Sequence, residues 1–346
     1  MKRKFALILA AVLLLILLVT VFSGCESRTV LNVYNWGEYI DKNVLKQFEE
    51  ETGIKIRYST FASNEEMYAK LKAGGGNYDV IFPSDYMVQR LIEKDMLAEL
   101  NYDNIPNFSY IMEDLKNMSY DPGNTYSVPY MWGTVGILYN KALTGVDIDS
   151  WTALWDEKYA QNLFMYDSSR DSFAPALILA GYSVNERSDA ALEEATQLLI
   201  QQKPLVLAYL TDEVQDKMVQ GEAALALVYS GYVSGAVAEN EDLRYVIPKE
   251  GSNVWFDAVC IPKSSKNKEA AELFINFLCR TDIALANVEE ICYATPHQGA
   301  YDLLDPEEQN NPVNYPSSED LARCEVYVDL GDYNAKYDDA FLRVKG

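Results

Sequence analysis

From residue 29 onward, short apolar segments of strand length alternate with amphipathic segments of helix length. In the first strand segment Leu31 and Val33 lie on one face, and in the first helical segment Val44, Leu45 and Phe48 recur three and four residues apart. This βαβαβα order predicts a mostly parallel sheet that is covered on both faces. The strand segments are 30–35, 54–58 and 79–82, and the helical ones are 41–51, the stretch opened at 64 and the stretch around 88–92.

The pattern changes at residues 126–140, where a strand over 135–139 leads into a second region that again mixes helices and strands. A later strand is followed by a helix that would return to the first region. We expect two α/β lobes joined by two crossing strands, with a cleft between them. The predicted helices are 151–159, 189–202 and 268–280, and the predicted strands are 223–229, 245–247 and 254–261.

The charge balance limits the possible partners. The chain carries 52 acidic against 29 basic residues, a formal net charge of −23. Such a surface repels nucleic acid and anionic membrane surfaces, so neither is an expected partner. A small cationic ligand would suit it, although an acidic balance is also an ordinary means of staying soluble.

The N-terminus has the pattern of a bacterial lipoprotein signal. Residues 2–4 are basic, residues 5–22 are apolar except Thr20, and Ser23 and Gly24 precede Cys25. This pattern predicts that residues 1–24 are removed and that Cys25 carries a lipid, which anchors the protein on the extracytoplasmic face of the membrane. An uncleaved anchor is the alternative, since the apolar run nearly suffices to span a bilayer.

Cysteine and histidine usage argues against metal chemistry. The four cysteines after Cys25 form no C-x-x-C pair, and His297 is the only histidine. We therefore expect no zinc site and no cofactor. One or two disulfides and buried free thiols both remain open for these cysteines, which are Cys260, Cys279, Cys292 and Cys324.

Aromatic and acidic residues occur together at three predicted strand ends: 35–39, 83–86 and 255–257. Asp257 is the most informative, because it lies in an otherwise apolar strand. A carboxylate in such a place needs a partner, and a bound ammonium group would serve.

Each of these signals also has a structural explanation. Trp36 and Trp255 are also the kind of residue that fills a core. Ser84 or Asp85 could cap the helix that follows. Asp171 could be a solvated charge or a partner of Arg170.

A flexible polyamine fits such a cleft, because carboxylates can pair with its ammonium groups and aromatic faces can cover its methylene runs. Each ring face over a cation adds about 0.5–2 kcal/mol, whereas micromolar binding needs only about −8 kcal/mol in total. Carbohydrate sites use the same residue types, so composition alone leaves the ligand open.

Several ordered segments resemble the spermidine/putrescine-binding proteins of bacterial polyamine ABC importers. The resemblance is collinear from about residue 30 to about 300. It is carried by the segments 31–39, 48–55, 63–71, 78–80, 127–133, 151–155, 248–251, 255–257 and 275–278.

This resemblance implies a two-lobed type II periplasmic-binding-protein fold that closes over its ligand by a hinge. Lobe 1 would comprise 29–136 and 256–297, and lobe 2 would comprise 137–255 and 298–346. The implied function is capture of spermidine or putrescine by a monomer that catalyses no reaction and delivers the ligand to the permease and ATPase subunits of an importer. The implied ligand-binding residues are Trp36, Glu38, Tyr39, Ser84, Tyr86, Asp171, Thr211, Tyr229, Trp255, Asp257 and Tyr293.

The chain departs from the family at several of these places. Ser168 stands where close spermidine binders have an aspartate, Tyr229 replaces a tryptophan, and Tyr327 falls near a position usually held by glutamine. The choice between spermidine and putrescine is therefore open, with a lean toward spermidine from residues 255–257.

Two functions other than polyamine binding are compatible with parts of the sequence. A binder of the same fold for ferric ion, thiamine or another cation is the nearer alternative, although the chain has no Tyr-Tyr pair of the kind that ferric binders use. An extracellular glycosidase is the other, but no pair of acids is marked as an acid and a nucleophile.

Overall fold

The computed structural model describes residues 29–74 and 76–346. The predicted signal segment 1–24 and Cys25 lie outside the described residues. Among the described residues, no helix has the length and apolar character that crossing a bilayer requires.

One sheet runs through the molecule. Its strand order is β2-β1-β3-β9-β4-β7-β5-β6, and β8 pairs with β4 beside this path. The strands are β1 Val30–Trp36, β2 Lys55–Phe61, β3 Val80–Ile81, β4 Ser127–Asn140, β5 Leu163–Tyr166, β6 Val206–Leu210, β7 Leu225–Tyr229, β8 Leu243–Val246 and β9 Val254–Cys260.

The helices cover this sheet and also form the C-terminus. Short 3-10 turns connect several of them, as at Trp151–Trp155 and Glu157–Tyr159. The α-helices are α1 Lys42–Thr52, α2 Asn64–Lys72, α3 Asp85–Glu93, α4 Lys141–Thr144, α5 Ser169–Leu179, α6 Asp189–Gln202, α7 Val214–Val219, α8 Gly231–Glu239, α9 Lys268–Leu278, α10 Thr281–Ile291, α11 Gln298–Tyr301, α12 Pro306–Gln309, α13 Ser318–Leu321 and α14 Asn334–Lys345.

The long strand β4 joins the two halves of the sheet. Its first part, up to Thr134, pairs antiparallel with β9, and its second part, from Val135, pairs antiparallel with β7. On either side the pairing is parallel, between β1 and its neighbours β2 and β3 and between β5 and its neighbours β6 and β7. The predicted mostly parallel halves are therefore joined by antiparallel crossing strands.

Hydrophobic side chains form separate clusters on the two sides of this junction. On the first side, Phe48 of α1 packs edge-on against Phe274 and Phe277 of α9. On the second side, Trp151 and Phe173 are fully buried in the largest cluster of the other half. The predicted α/β fold with two lobes is confirmed.

The segment after residue 298 contacts both halves. Tyr315 and Val326 pack against the cluster that contains Tyr34 and Phe61, whereas Phe341 of α14 lies in the cluster of the second half. The chain thus passes between the lobes a third time near residue 328. Close to this point, the buried carboxylate of Asp329 forms an ion pair with Arg90 of α3.

The predicted helix over 151–159 is wrong, because the structure has two 3-10 turns there. Ser150 caps the first turn, and the backbone N–H of Trp151 donates to the Glu250 carboxylate. The Trp151 indole N–H also donates to the carbonyl oxygen of Gly251 at 2.7 Å. Asp156 then caps a separate turn, so these capping contacts divide the segment.

All four cysteines in the described residues are free thiols. Cys260 and Cys279 are buried, and Cys292 and Cys324 are half-buried. Burial raises the pKa of the Cys279 thiol to about 12, so it stays in its unreactive protonated form at neutral pH. The sequence leaves both disulfides and free thiols open, and the structure has free thiols.

Candidate ligand-binding site

Asp257 lies in the middle of β9 with only 6% of its surface exposed. Its Oδ2 accepts a hydrogen bond from the Tyr39 hydroxyl at 2.7 Å, and the nearby Ser84 hydroxyl lowers the pKa of this carboxyl. Its Oδ1 is buried and has no hydrogen-bond partner among the described residues. A buried carboxylate oxygen without a partner is costly, so this atom marks a place for a donor from outside the chain.

A second buried carboxylate belongs to Asp171 in α5, which is 4% exposed. Its Oδ2 accepts from the Tyr229 hydroxyl at 2.7 Å, and its Oδ1 accepts from the Tyr327 hydroxyl at 3.2 Å. The nearby Ser168 hydroxyl lowers the pKa of this carboxyl. No ion pair joins Asp171 to Arg170 in the described residues; the Arg170 guanidinium instead lies over the Tyr327 ring at 4.3 Å.

Aromatic rings connect the two carboxylates. The Tyr39 ring lies 5.6 Å from that of Tyr293, which lies 5.3 Å from the Trp255 ring, which in turn lies 6.0 Å from the Tyr229 ring. Successive rings are nearly perpendicular, with interplanar angles of 68°, 80° and 89°. Edge-to-face packing of this kind fixes the rings as a continuous apolar wall between the two acids.

The two halves of the sheet meet at this wall. Gly231 begins α8 directly after β7, and Tyr293 precedes Ala294, which bridges to Trp132 of β4. A Cβ atom at Gly231 would lie only 1.0 Å from Cε1 of Tyr293. The Tyr293 ring therefore occupies the space that the missing side chain leaves, and the lobes are in contact across the cleft.

Trp36 and Tyr86 lie farther along the first lobe. The Trp36 indole N–H donates to the carbonyl oxygen of Phe82 at 2.9 Å, which anchors the end of β1. The Tyr86 hydroxyl donates to Glu65 at 3.1 Å, and its ring packs against the cluster that contains Tyr327. Neither residue forms a hydrogen bond with either of the two buried acids.

Two predicted binding residues are exposed and lie outside this network. The Glu38 side chain is 86% exposed and forms an ion pair with Lys42 at 3.1 Å. Thr211 is exposed at the end of β6, where its hydroxyl donates to Glu213 at 3.0 Å. The structure thus leaves these two residues outside the hydrogen bonds and ring contacts that surround Asp257 and Asp171.

The chain and its fold are similar to those of known proteins. A profile of the bacterial extracellular solute-binding proteins matches residues 43–315. The chain belongs to this family. It is 38% identical over 322 residues to the spermidine/putrescine-binding periplasmic protein of Salmonella typhimurium, an alignment that covers 92% of each chain.

Solved structures are similar to this solute-binding protein over almost their whole length. The spermidine/putrescine ABC transporter substrate-binding protein of Streptococcus pneumoniae is 40% identical with a TM-score of 0.82, covering 92% of this chain and 98% of that one. A putative spermidine/putrescine ABC transporter protein of Listeria monocytogenes is 39% identical with a TM-score of 0.88, covering 92% and 99%. The predicted family resemblance is therefore confirmed.

Tyr327 belongs to the candidate site of this solute-binding protein but is not among the binding residues predicted from the sequence. It contacts Asp171 from a segment without regular structure, 156 residues farther along the chain. Tyr166, at the end of β5, is a second such residue, with its ring 4.9 Å from that of Tyr229. The one signal in the sequence that points to Tyr327 is its departure from the glutamine usual at this position of the family.

Asp85 is a third buried carboxylate near the site. Its two oxygens accept from the backbone N–H groups of Tyr86 and Phe256. Burial raises the pKa of this carboxyl to about 8. Asp85 therefore holds α3 against β9, and it is protonated at neutral pH.

Protonation of Asp257 should control binding. Burial raises the pKa of Asp257 to about 6, although the Ser84 and Tyr39 hydroxyls act in the opposite direction. An ammonium group pairs only with the ionised form, so we expect the Kd of a polyamine to rise about tenfold between pH 7 and pH 5.

Calorimetry over this range in about 0.5 M NaCl measures the effect with long-range charge screened. Asp85 is already protonated below pH 7 and does not contribute to it. A Kd that stays constant from pH 7 to pH 5 would contradict the placement of an ammonium group at Asp257.

Proposed function

We propose that this protein captures a polyamine, spermidine or putrescine, outside the cytoplasm and delivers it to an ABC importer. The observation that carries the proposal is the buried, unpartnered Oδ1 of Asp257 at the end of a wall of aromatic rings. An ammonium group satisfies this oxygen, and the rings replace water around the methylene chain. The similarity to spermidine/putrescine-binding proteins of Salmonella typhimurium and Streptococcus pneumoniae supports the same ligand class.

The second acid extends the site to a length that suits a polyamine. Asp257 and Asp171 lie at opposite ends of the ring wall, one on each lobe. Burial raises the pKa of Asp171, although the Ser168, Tyr229 and Tyr327 hydroxyls and Arg170 act in the opposite direction. A second amine that reaches this carboxylate would stabilise its charged form, because the opposite charge offsets the cost of burial.

The lobe boundaries remain part of this proposal. We place them after residues 136 and 255, close to where β4 changes partner between Thr134 and Val135 and near the start of β9. Residues 298–346 are assigned to the second lobe because Phe341 of α14 lies in its core, although Tyr315 and Val326 pack on the first lobe. The predicted site residues, Glu38 and Thr211 included, are likewise proposed as ligand contacts of the closed form.

We further propose that the protein acts as a monomer without catalytic activity and is held on the membrane by a lipid on Cys25. The Ser-Gly-Cys sequence after the apolar run supports the anchor. Mass spectrometry of the protein extracted from membranes tests it. A diacylglyceryl group on an N-terminal Cys25 is expected, and an unmodified N-terminus at Met1 would contradict it.

Calorimetry with the purified full chain in a non-ionic detergent tests the function itself. Spermidine and putrescine should bind with micromolar or lower Kd, and thiamine, ferric citrate and a panel of sugars should not. Exclusive binding of ferric citrate would assign another ligand, and hydrolysis of a sugar substrate would assign a glycosidase. Either result would overturn the polyamine assignment.

A further inference from the structure

Trp255 differs from the other tryptophans in its hydrogen bonding. Its side chain is 92% buried, yet its indole N–H has no acceptor among the described residues. The other four tryptophans each donate to a backbone carbonyl oxygen. These pairs are Trp36 with Phe82, Trp132 with Thr295, Trp151 with Gly251 and Trp155 with Leu198.

The residue with this orphan donor is two positions from the residue with the orphan acceptor. Trp255 and Asp257 are two residues apart in β9, so both side chains leave the same face of the strand about 7 Å apart. The Trp255 ring is also part of the aromatic wall, between Tyr293 and Tyr229. A ligand that lies along the wall from Asp257 passes the indole.

A fully protonated polyamine can satisfy only one of these two atoms. An ammonium group has N–H donors and no acceptor, so it pairs with Asp257 but offers nothing to the indole N–H. A carbonyl oxygen is the acceptor that the other tryptophans of this chain use. An amide carried by the same ligand would supply it.

The far end of the site differs from this one in its hydrogen bonding. Both oxygens of Asp171 already accept hydrogen bonds from tyrosine hydroxyls. Asp171 therefore has no oxygen without a donor, in contrast to Asp257.

We propose that the site accepts an N-acylated diamine, whose free ammonium group binds Asp257 and whose amide carbonyl accepts from the Trp255 indole N–H. The proposal rests on the proposed function and refines its ligand class. Three or four methylene groups between the amine and the amide match the spacing of the two side chains along the strand.

Calorimetry of the full chain with putrescine, N-acetylputrescine and butylamine tests this inference. We expect N-acetylputrescine to bind within about threefold of putrescine and at least tenfold more tightly than butylamine, which lacks the acceptor. Trp255→Phe removes the N–H but keeps a ring. It should weaken N-acetylputrescine about two- to tenfold more than it weakens putrescine.

Trp36→Phe is the matched control, because the Trp36 N–H is already used by Phe82. It should change the Kd values of the two ligands by the same factor. If putrescine binds but N-acetylputrescine does not, or if Trp255→Phe weakens both equally, the inference is overturned and the polyamine function stands. If no amine binds, the proposed function fails as well.

Discussion

Replacing Asp257 by asparagine should abolish most of the polyamine affinity while making the ligand-free protein more stable. The substitution removes the charge that pairs with the ammonium group, a loss of about 2–4 kcal/mol, or roughly 30- to 1,000-fold in Kd. The gain in stability follows from the raised pKa of Asp257, about 6 against an ordinary value near 3.8. A carboxyl whose pKa is raised by folding stabilises the native state when it is protonated, and this contribution is lost as the pH rises through 6.

Asparagine avoids the charge altogether, so the melting temperature at pH 7 should rise in the absence of ligand. Calorimetry gives the affinity and differential scanning calorimetry gives the stability. Asp121→Asn is the matched control, because Asp121 is buried but its oxygens already accept from Thr125, Tyr126 and Ser127. It should lower the melting temperature and leave the affinity unchanged. An Asp257→Asn protein that binds putrescine normally would remove Asp257 from the site.

A methyl group at Gly231 should hold the lobes apart. The added Cβ of Gly231→Ala would lie 1.0 Å from the Tyr293 ring, so the ring must move or the lobes must separate. Relief of such a clash in a packed region costs about 1–3 kcal/mol. Since this contact forms between the lobes, we expect the cost to appear in the affinity, as a roughly 5- to 150-fold rise in Kd.

Calorimetry measures the affinity, and small-angle scattering should show a ligand-bound radius of gyration closer to that of the open protein. Gly235→Ala lies on the same helix and is the matched control. Its Cβ meets only the flexible amide end of Gln215 at 2.7 Å, which can turn away. An unchanged Kd for Gly231→Ala would show that Tyr293 and Gly231 are not in contact in the bound state.

The sequence predicts the first lobe well because its elements are amphipathic and locally capped. Leu31 and Val33 alternate with polar residues and are fully buried, as a strand against a helix layer requires. Asp41 caps α1 with its side chain, and Gly53 ends that helix in the left-handed conformation. Each of these signals lies within a few residues of the strand or helix end that it predicts.

The long strand β4 is harder to predict. Pro129 and Gly133 read as interruptions, yet the strand is continuous from Ser127 to Asn140. The structure accommodates Pro129 at a register shift in the pairing with β9, where a missing backbone donor costs little. That accommodation depends on the partner strand and leaves no local signal.

The residues of the candidate site also differ in how well the sequence predicts them. Asp257 could be found because a charge in an apolar strand is anomalous within its own segment. The contact of Tyr327 with Asp171 could not be predicted, because the two residues are 156 positions apart and the segment around Tyr327 has no regular structure. Glu38 and Thr211 match family positions, but local partners hold both side chains on the surface.

The most direct test of the account is a crystal structure of this protein with putrescine bound. We predict that one nitrogen of the ligand lies within hydrogen-bond distance of Asp257 Oδ1 and that its methylene chain runs along the rings of Tyr293 and Trp255. A ligand bound elsewhere, or an Asp257 carboxylate that contacts no ligand atom in that structure, would contradict it.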